Sequence, residues 1–167
     1  MQTKIPEFIQ GIFGFVETTR YSNYVSNTKE PYVYLIRRAD TPFAGCWSLP
    51  GGRMVKRERM TETCIREVRE ETGLQVITRE FLARARFTGD DSKFYEAHCF
   101  KCEINEKNVI KREISKLKKE VLNTTLLNYK EQKSDELKGY KIAPPIWALI
   151  KELNSGKKPP YEISLIK

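Results

Sequence analysis

Three glutamates, Glu67, Glu70 and Glu71, stand at i, i+3 and i+4 in a stretch with helical patterning. On an α-helix that spacing presents the three carboxylates within an arc of roughly 100°. Cys64, Val68 and Thr72 fall on the neighbouring face and would pack such a helix onto a sheet. Carboxylates gathered beside a buried wall repel one another unless cations lie among them, and hard oxygen donors suit Mg²⁺, with Mn²⁺ as a substitute. Upstream, Gly51 and Gly52 let the backbone approach the helix closely, so that a carbonyl there can join the metal sphere. Glu58 and Arg66 have the chemistry to hold ligating carboxylates in place.

A run of glutamates is usually a solvated helix face. Spacing decides against that here. Gly52 is followed at fixed intervals by Glu58, by Arg66-Glu67-Val68, by Glu70-Glu71 and by Gly73-Leu74. Chance agreement at all of these positions is on the order of one in a billion per starting point, given average residue usage.

The stretch Gly52–Leu74 resembles the Nudix box, Gly-x5-Glu-x7-Arg-Glu-U-x-Glu-Glu-x-Gly-U with U aliphatic, at every specified position. The preceding Trp47-Ser48-Leu49-Pro50-Gly51-Gly52 is similar to the family's usual approach to the box. The resemblance is specific over residues 31–74. It implies an α/β fold, an α/β/α sandwich around a mixed sheet, with the box as loop, helix and loop. It further implies that Glu67, Glu70 and Glu71 bind Mg²⁺, with the Gly51 carbonyl contributing. The reaction so implied is metal-assisted attack of water on a phosphorus of a diphosphate. Family members differ in whether the general base is a box glutamate or one on a later loop. Glu113 is the candidate for a later carboxylate, and Glu96 and Glu103 compete with it.

Some positions depart from the family's habits. Many members carry Glu three places before the box glutamate and Gly one place before it, where this chain has Val55 and Arg57. The run Gly51–Glu58 is similar to the loop of GDP-mannose hydrolases, whose box is degenerate, whereas this one is intact. At the place past the box where ADP-ribose members carry a proline stand Gly89 and Asp90, which counts against ADP-ribose.

The elements that must position these groups can be read coarsely. Gly11–Thr18 and Pro31–Arg38 have the β-branched and aromatic character of strands, with the polar stretch Thr19–Glu30 as a hairpin-type connection. Arg59–Thr72 is helical and stops at Gly73, a C′ glycine. Leu74–Phe87 and Lys93–Ile104 are two further strands. Asn108–Lys138 has no clear period, apart from a candidate strand at Ile114–Lys118. A last helix starts at Pro144-Pro145, carries Ile146, Ile150 and Leu153 on one face, and ends at Asn154-Ser155-Gly156. The basic tail, residues 157–167, reads as loosely attached to a single domain spanning 1–167.

Candidate substrate contacts are Arg53, Arg84 and Arg86 for phosphate or ribose, and Trp47, Phe43 and Tyr95 for stacking on a base. Each aromatic has a competing role in the core, and each arginine a competing role on the surface. His98, the single histidine, is a base or phosphate contact or a structural residue on its strand. Cys99 and Cys102 lie three apart on a strand, facing opposite sides, and so do not share a zinc ion. Lys111-Arg112, Lys116 and Lys118-Lys119 would track a polyanion, but the interleaved Glu113 and Glu120 fit a solvated face.

The whole chain, with 167 residues and a net charge of +8, is long enough for one well-packed domain and suited to anionic ligands. Its four cysteines read as reduced thiols, and no signal segment or membrane span is visible, which places it in the cytoplasm. The expectation is an enzyme splitting a nucleoside diphosphate linked to another group: a nucleoside triphosphate, nucleotide sugar, ADP-ribose or dinucleoside polyphosphate. Alternatives are an RNA 5′-end pyrophosphohydrolase and a non-catalytic nucleotide sensor on the same fold. A homodimer is compatible with the family.

Overall fold

A computed structural model describes residues 6–21, 29–105 and 121–167. Its centre is a mixed sheet built on two long strands, β1 (Ile9–Tyr21) and β6 (Phe94–Ile104), which run parallel with Ile9 opposite Tyr95. On one side of this pair β5 (Val76–Thr88) joins β6 antiparallel. On the other side β2 (Lys29–Arg38) pairs with the second half of β1. Two short strands, β3 (Trp47–Ser48) and β4 (Gly51–Gly52), pair with β2 and with the first half of β1.

Alternation along β1 separates two cores. Ile12 and Val16 face α1 (Met60–Thr72) and meet Cys64, Val68, Val76 and Cys102. Phe15 faces the other way, into a larger cluster with Val33, Leu35 and Trp47 that α2 (Pro144–Leu153) covers with Ile146, Leu149 and Ile150. Helix, sheet and helix therefore stack as the α/β/α sandwich the box implies. Cys64, Val68 and Thr72 are all buried against the sheet. Gly73, at φ 73°, ends α1 in the left-handed region, and its N–H caps the Arg69 carbonyl. Cys99 belongs to the α2 core and Cys102 to the α1 core, on opposite faces, and Cys102 Sγ lies 3.5 Å from Cys64 Sγ.

The structure corrects the coarse reading at three places. The connection Thr19–Glu30 is shorter than its polarity suggests: the ladder continues through Arg20↔Glu30 to Tyr21↔Lys29. Backbone pairing in a hairpin does not require apolar side chains, so the strands run on into polar sequence. The tail is not loose. β10 (Tyr161–Leu165) pairs parallel with β5, and the alternating Tyr161 and Ile163 are buried in the α2 core. The unclear stretch Asn108–Lys138 contains β7 (Val121–Leu127), antiparallel to β2, and β8 (Glu136–Leu137), which forms a small hairpin with β9 (Tyr140–Lys141) just beyond it. The candidate strand Ile114–Lys118 lies outside the described residues. No helix among the described residues is long and apolar enough to cross a membrane.

Candidate active site

The loop entering α1 is pressed onto the helix face that carries the three glutamates. Gly51 N–H donates to Glu71 Oε2 at 2.9 Å. At Gly52 a Cβ atom would lie 2.5 Å from the carboxyl carbon of Glu67, so only glycine permits this approach. Glu67 and Glu71 are buried, and Glu70 is the most open of the three at 32% exposed.

Arg66 distributes its donors among the acids. Nε reaches Glu58 Oε1 at 2.6 Å and Nη2 reaches Glu58 Oε2 at 2.9 Å, a bidentate pair. Nη1 reaches Glu67 at 2.7 Å and Glu70 at 3.3 Å, while Nη2 also donates to the Arg53 carbonyl. This paired arginine holds the Glu58 carboxyl down at about 2, with smaller help from the Thr63 hydroxyl and the Val55 N–H. The same contacts, Glu58 first, raise the Arg66 guanidinium, which stays charged. One guanidinium therefore fixes the rotamers of two of the three clustered glutamates.

The donor set fits a hard divalent cation: the carboxylate oxygens of Glu67, Glu70 and Glu71, lining one open cleft with Gly51. Among the described residues no three His, Cys, Asp or Glu side chains are already gathered into a cage.

The cleft above the glutamates has a volume of about 690 Å³, the size of a nucleotide-binding site. Its floor runs along β1 from the β4 pair Gly51–Gly52 to Gln10, and Arg38, Arg53, Tyr95 and Glu96 stand around it. Tyr95 stacks on Phe87, with centroids 5.4 Å apart and planes 12° from parallel, and its hydroxyl donates to Asp91 at 2.7 Å. Burial, and then Asp91, push the Tyr95 phenol up to about 12, so it remains a neutral donor. Phe43 leans on Phe87, and its N–H donates to Asp90 Oδ1 at 2.8 Å. Asp90 thus straps the β5–β6 turn to the Pro42 loop, which Arg38 holds through the Pro42 carbonyl at 2.8 Å.

Comparison with known proteins decides the lineage of this site. The NUDIX domain profile matches residues 18–162. The chain belongs to the Nudix family. It is 46% identical over 46 residues to the ADP-ribose pyrophosphatase of Methanocaldococcus jannaschii, a match spanning 28% of this chain and 27% of that protein. The Nudix fold is shared with a NUDIX hydrolase from Nitrosomonas europaea at TM-score 0.68 and 17% identity, covering 92% of this chain and 93% of the other. The NUDIX domain of Shewanella oneidensis NrtR, solved with ADP ribose, aligns at TM-score 0.60 and 16% identity over 92% of this chain and 91% of that one.

Within this Nudix site the structure brings together Gly51, Glu58, Arg66, Glu67, Glu70 and Glu71, and sets Arg53 and Tyr95 on the same cleft. Trp47 is not among them. It is buried, with Nε1–H donating to the Leu137 carbonyl at 2.9 Å, because the β8–β9 hairpin closes over it. Arg84, Arg86 and His98 lie on the same side of β5 and β6 as Glu96, beside the cleft, but do not themselves line it. Arg84 pairs with Glu162 at 3.0 Å, and Arg86 pairs with Glu96 at 2.5 Å. His98 stands 3.5 Å from Glu96 and packs near Phe81. Burial lowers its imidazole below the usual value. Glu103 pairs with Arg79 at the surface, and Glu113 lies outside the described residues. Sequence reasoning missed Arg38, Gln10 and Asp40 on the cleft and Thr63 behind it. Only the strand register, which places Gln10 beside Glu96, could have found Gln10.

Proposed function

We propose that this protein hydrolyses a diphosphate linkage in a nucleoside diphosphate joined to another group, with Mg²⁺ bound at Glu67, Glu70, Glu71 and the Gly51 carbonyl. The observation that carries this reading is the Arg66-held glutamate cluster, facing the Gly51–Gly52 strand on the floor of a nucleotide-sized cleft. When bound, the cation neutralises phosphoryl charge and lowers the pKa of water.

The remaining roles belong to the chain. To Glu70, the most exposed of the three, we assign the acceptance of a proton from the attacking water. Arg66 keeps Glu67 and Glu70 from turning away from the cleft. Arg38 and Arg53 are the cations available to phosphate oxygens on the cleft, and the Tyr95–Phe87 stack is its aromatic wall for a base or sugar. The local match to an ADP-ribose pyrophosphatase puts ADP-ribose first among candidate substrates, although Gly89-Asp90 replaces the proline of that group.

The test is a hydrolysis screen with Mg²⁺ or Mn²⁺ over ADP-ribose, nucleoside triphosphates, nucleotide sugars, dinucleoside polyphosphates and triphosphorylated RNA. Wild type is compared with Glu70→Gln, and with EDTA-treated protein. Turnover of one substrate, lost in the variant and restored after EDTA by Mg²⁺, supports the reading. Tight nucleotide binding with no turnover of any substrate would sink it and favour a sensor.

A further inference from the structure

Thr63 lies on α1 four residues before Glu67 and at a position the box leaves unspecified. It is completely buried. A buried threonine in a helix ordinarily satisfies its hydroxyl on the carbonyl one turn back, and here that carbonyl, of Arg59, lies 3.2 Å away. The shorter contact goes elsewhere: Oγ1 is 2.8 Å from Glu58 Oε2. A hydroxyl has one proton to give, and an ionised carboxylate at the shorter distance is the stronger acceptor.

Glu58 links Thr63 to the glutamate cluster. Its Oε1 takes Arg66 Nε, and its Oε2 takes Arg66 Nη2, the Thr63 hydroxyl and a longer bond from Val55 N–H at 3.2 Å. Apart from Arg66 and Thr63, Glu58 is held among the described residues only by the Val55 N–H of its own loop, at 3.2 Å. Thr63 is fixed to the helix backbone, so its shorter bond to Oε2 anchors the Glu58 carboxylate directly to α1. The same arginine then reaches Glu67 at 2.7 Å and Glu70 at 3.3 Å.

We infer that Thr63 is a positioning residue: its hydroxyl sets the Glu58 carboxylate, which sets Arg66 and through it Glu67 and Glu70. This rests on the function proposed above, and it adds a residue chosen for the site although it never faces the cleft.

Thr63→Val keeps the volume and removes the hydroxyl, and Thr63→Ser restores the hydroxyl without the methyl. Three measurements separate positioning from packing. The Arg66 Nε–H proton signal, followed by NMR in metal-free protein, is expected to broaden and exchange faster in Thr63→Val and to recover in Thr63→Ser. The affinity of the protein for Mn²⁺, titrated by electron paramagnetic resonance, is expected to fall roughly tenfold or more in Thr63→Val, the usual scale for a lost partner behind a metal ligand. On the substrate found by the screen, kcat falls with KM little changed, and adding Thr63→Val to Glu58→Gln costs nothing further. An unchanged Arg66 signal in folded Thr63→Val overturns the inference, as does a loss that Thr63→Ser fails to recover. The NMR arm needs neither metal nor turnover. A wild type that binds no Mn²⁺ and hydrolyses nothing therefore defeats the proposed function while the Arg66 signal still decides the role of Thr63.

Discussion

The α-carbon of Gly52 sits against the carboxyl group of Glu67, with no room for a side chain: a Cβ there would lie 2.5 Å from the carboxyl carbon and 2.6 Å from one of its oxygens. The obstacle is a carboxylate that Arg66 already holds, so the clash is relieved by moving the glutamate or the loop. Gly52→Ala is expected to fold, with an unchanged circular dichroism spectrum, and to lose roughly 100-fold in kcat, the scale of an ångström-sized misplacement of a reacting group. Wild-type turnover in this variant would show that Glu67 has freedom the geometry denies it.

Arg66→Lys tests the fork. A lysine supplies one point of charge and cannot span Glu58, Glu67 and Glu70 together. Activity is expected to fall roughly 10- to 100-fold, in line with other lost supports of metal ligands. Steady-state kinetics on purified protein check this, and a lysine variant of near-normal kcat would reduce the guanidinium to a source of charge.

His98 gives a pH dependence with a definite sign. Burial lowers its folded pKa, Glu96 opposes the shift, and Arg84 and Arg86 add to it. The unfolded chain, with the histidine near 6.5, therefore binds more protons than the folded one just below that pH. The contribution is fully present above about 6.5 and is lost as pH falls below it. Melting temperatures measured from pH 8 to pH 5 are expected to drop more steeply for wild type than for His98→Phe. Parallel curves would mean that the ring titrates in the fold as it does in water.

The closing strand is an integral part of the domain. Ile163 is buried in the α2 core opposite Ala85, so Ile163→Ala is expected to cost about 2–5 kcal/mol in denaturant unfolding. A change below about 0.5 kcal/mol would return the tail to the surface.

The box could be read because its chemistry depends on local geometry: carboxylates on one helix face need fixed spacing along the chain. Helix ends were legible for the same reason, in Gly73 and in Pro144-Pro145. Arg38, Gln10 and Tyr95 converge on the cleft through strand pairings between distant segments, and no local pattern encodes a register. The role of Trp47 turned on whether something covers it, which the β8–β9 hairpin does. The tail did carry a signal, apolar residues alternating at Tyr161, Ile163 and Leu165, but the prolines and lysines before it favoured a loop.

The pairing of β1 with β6 also sets an order of events. β5 and β6 are neighbours in sequence and can zip as a hairpin, whereas β1 must wait for β6, from which the whole box separates it. Closing so long a loop before any contact rewards it is slow. Gly51 and Gly52 are held by β1 across another long loop, which closes more slowly than the β5–β6 hairpin. During synthesis the segment carrying the box would leave the ribosome well before it could bind anything, and pulse-labelled hydrogen exchange should find the β5–β6 amides protected before those of β4.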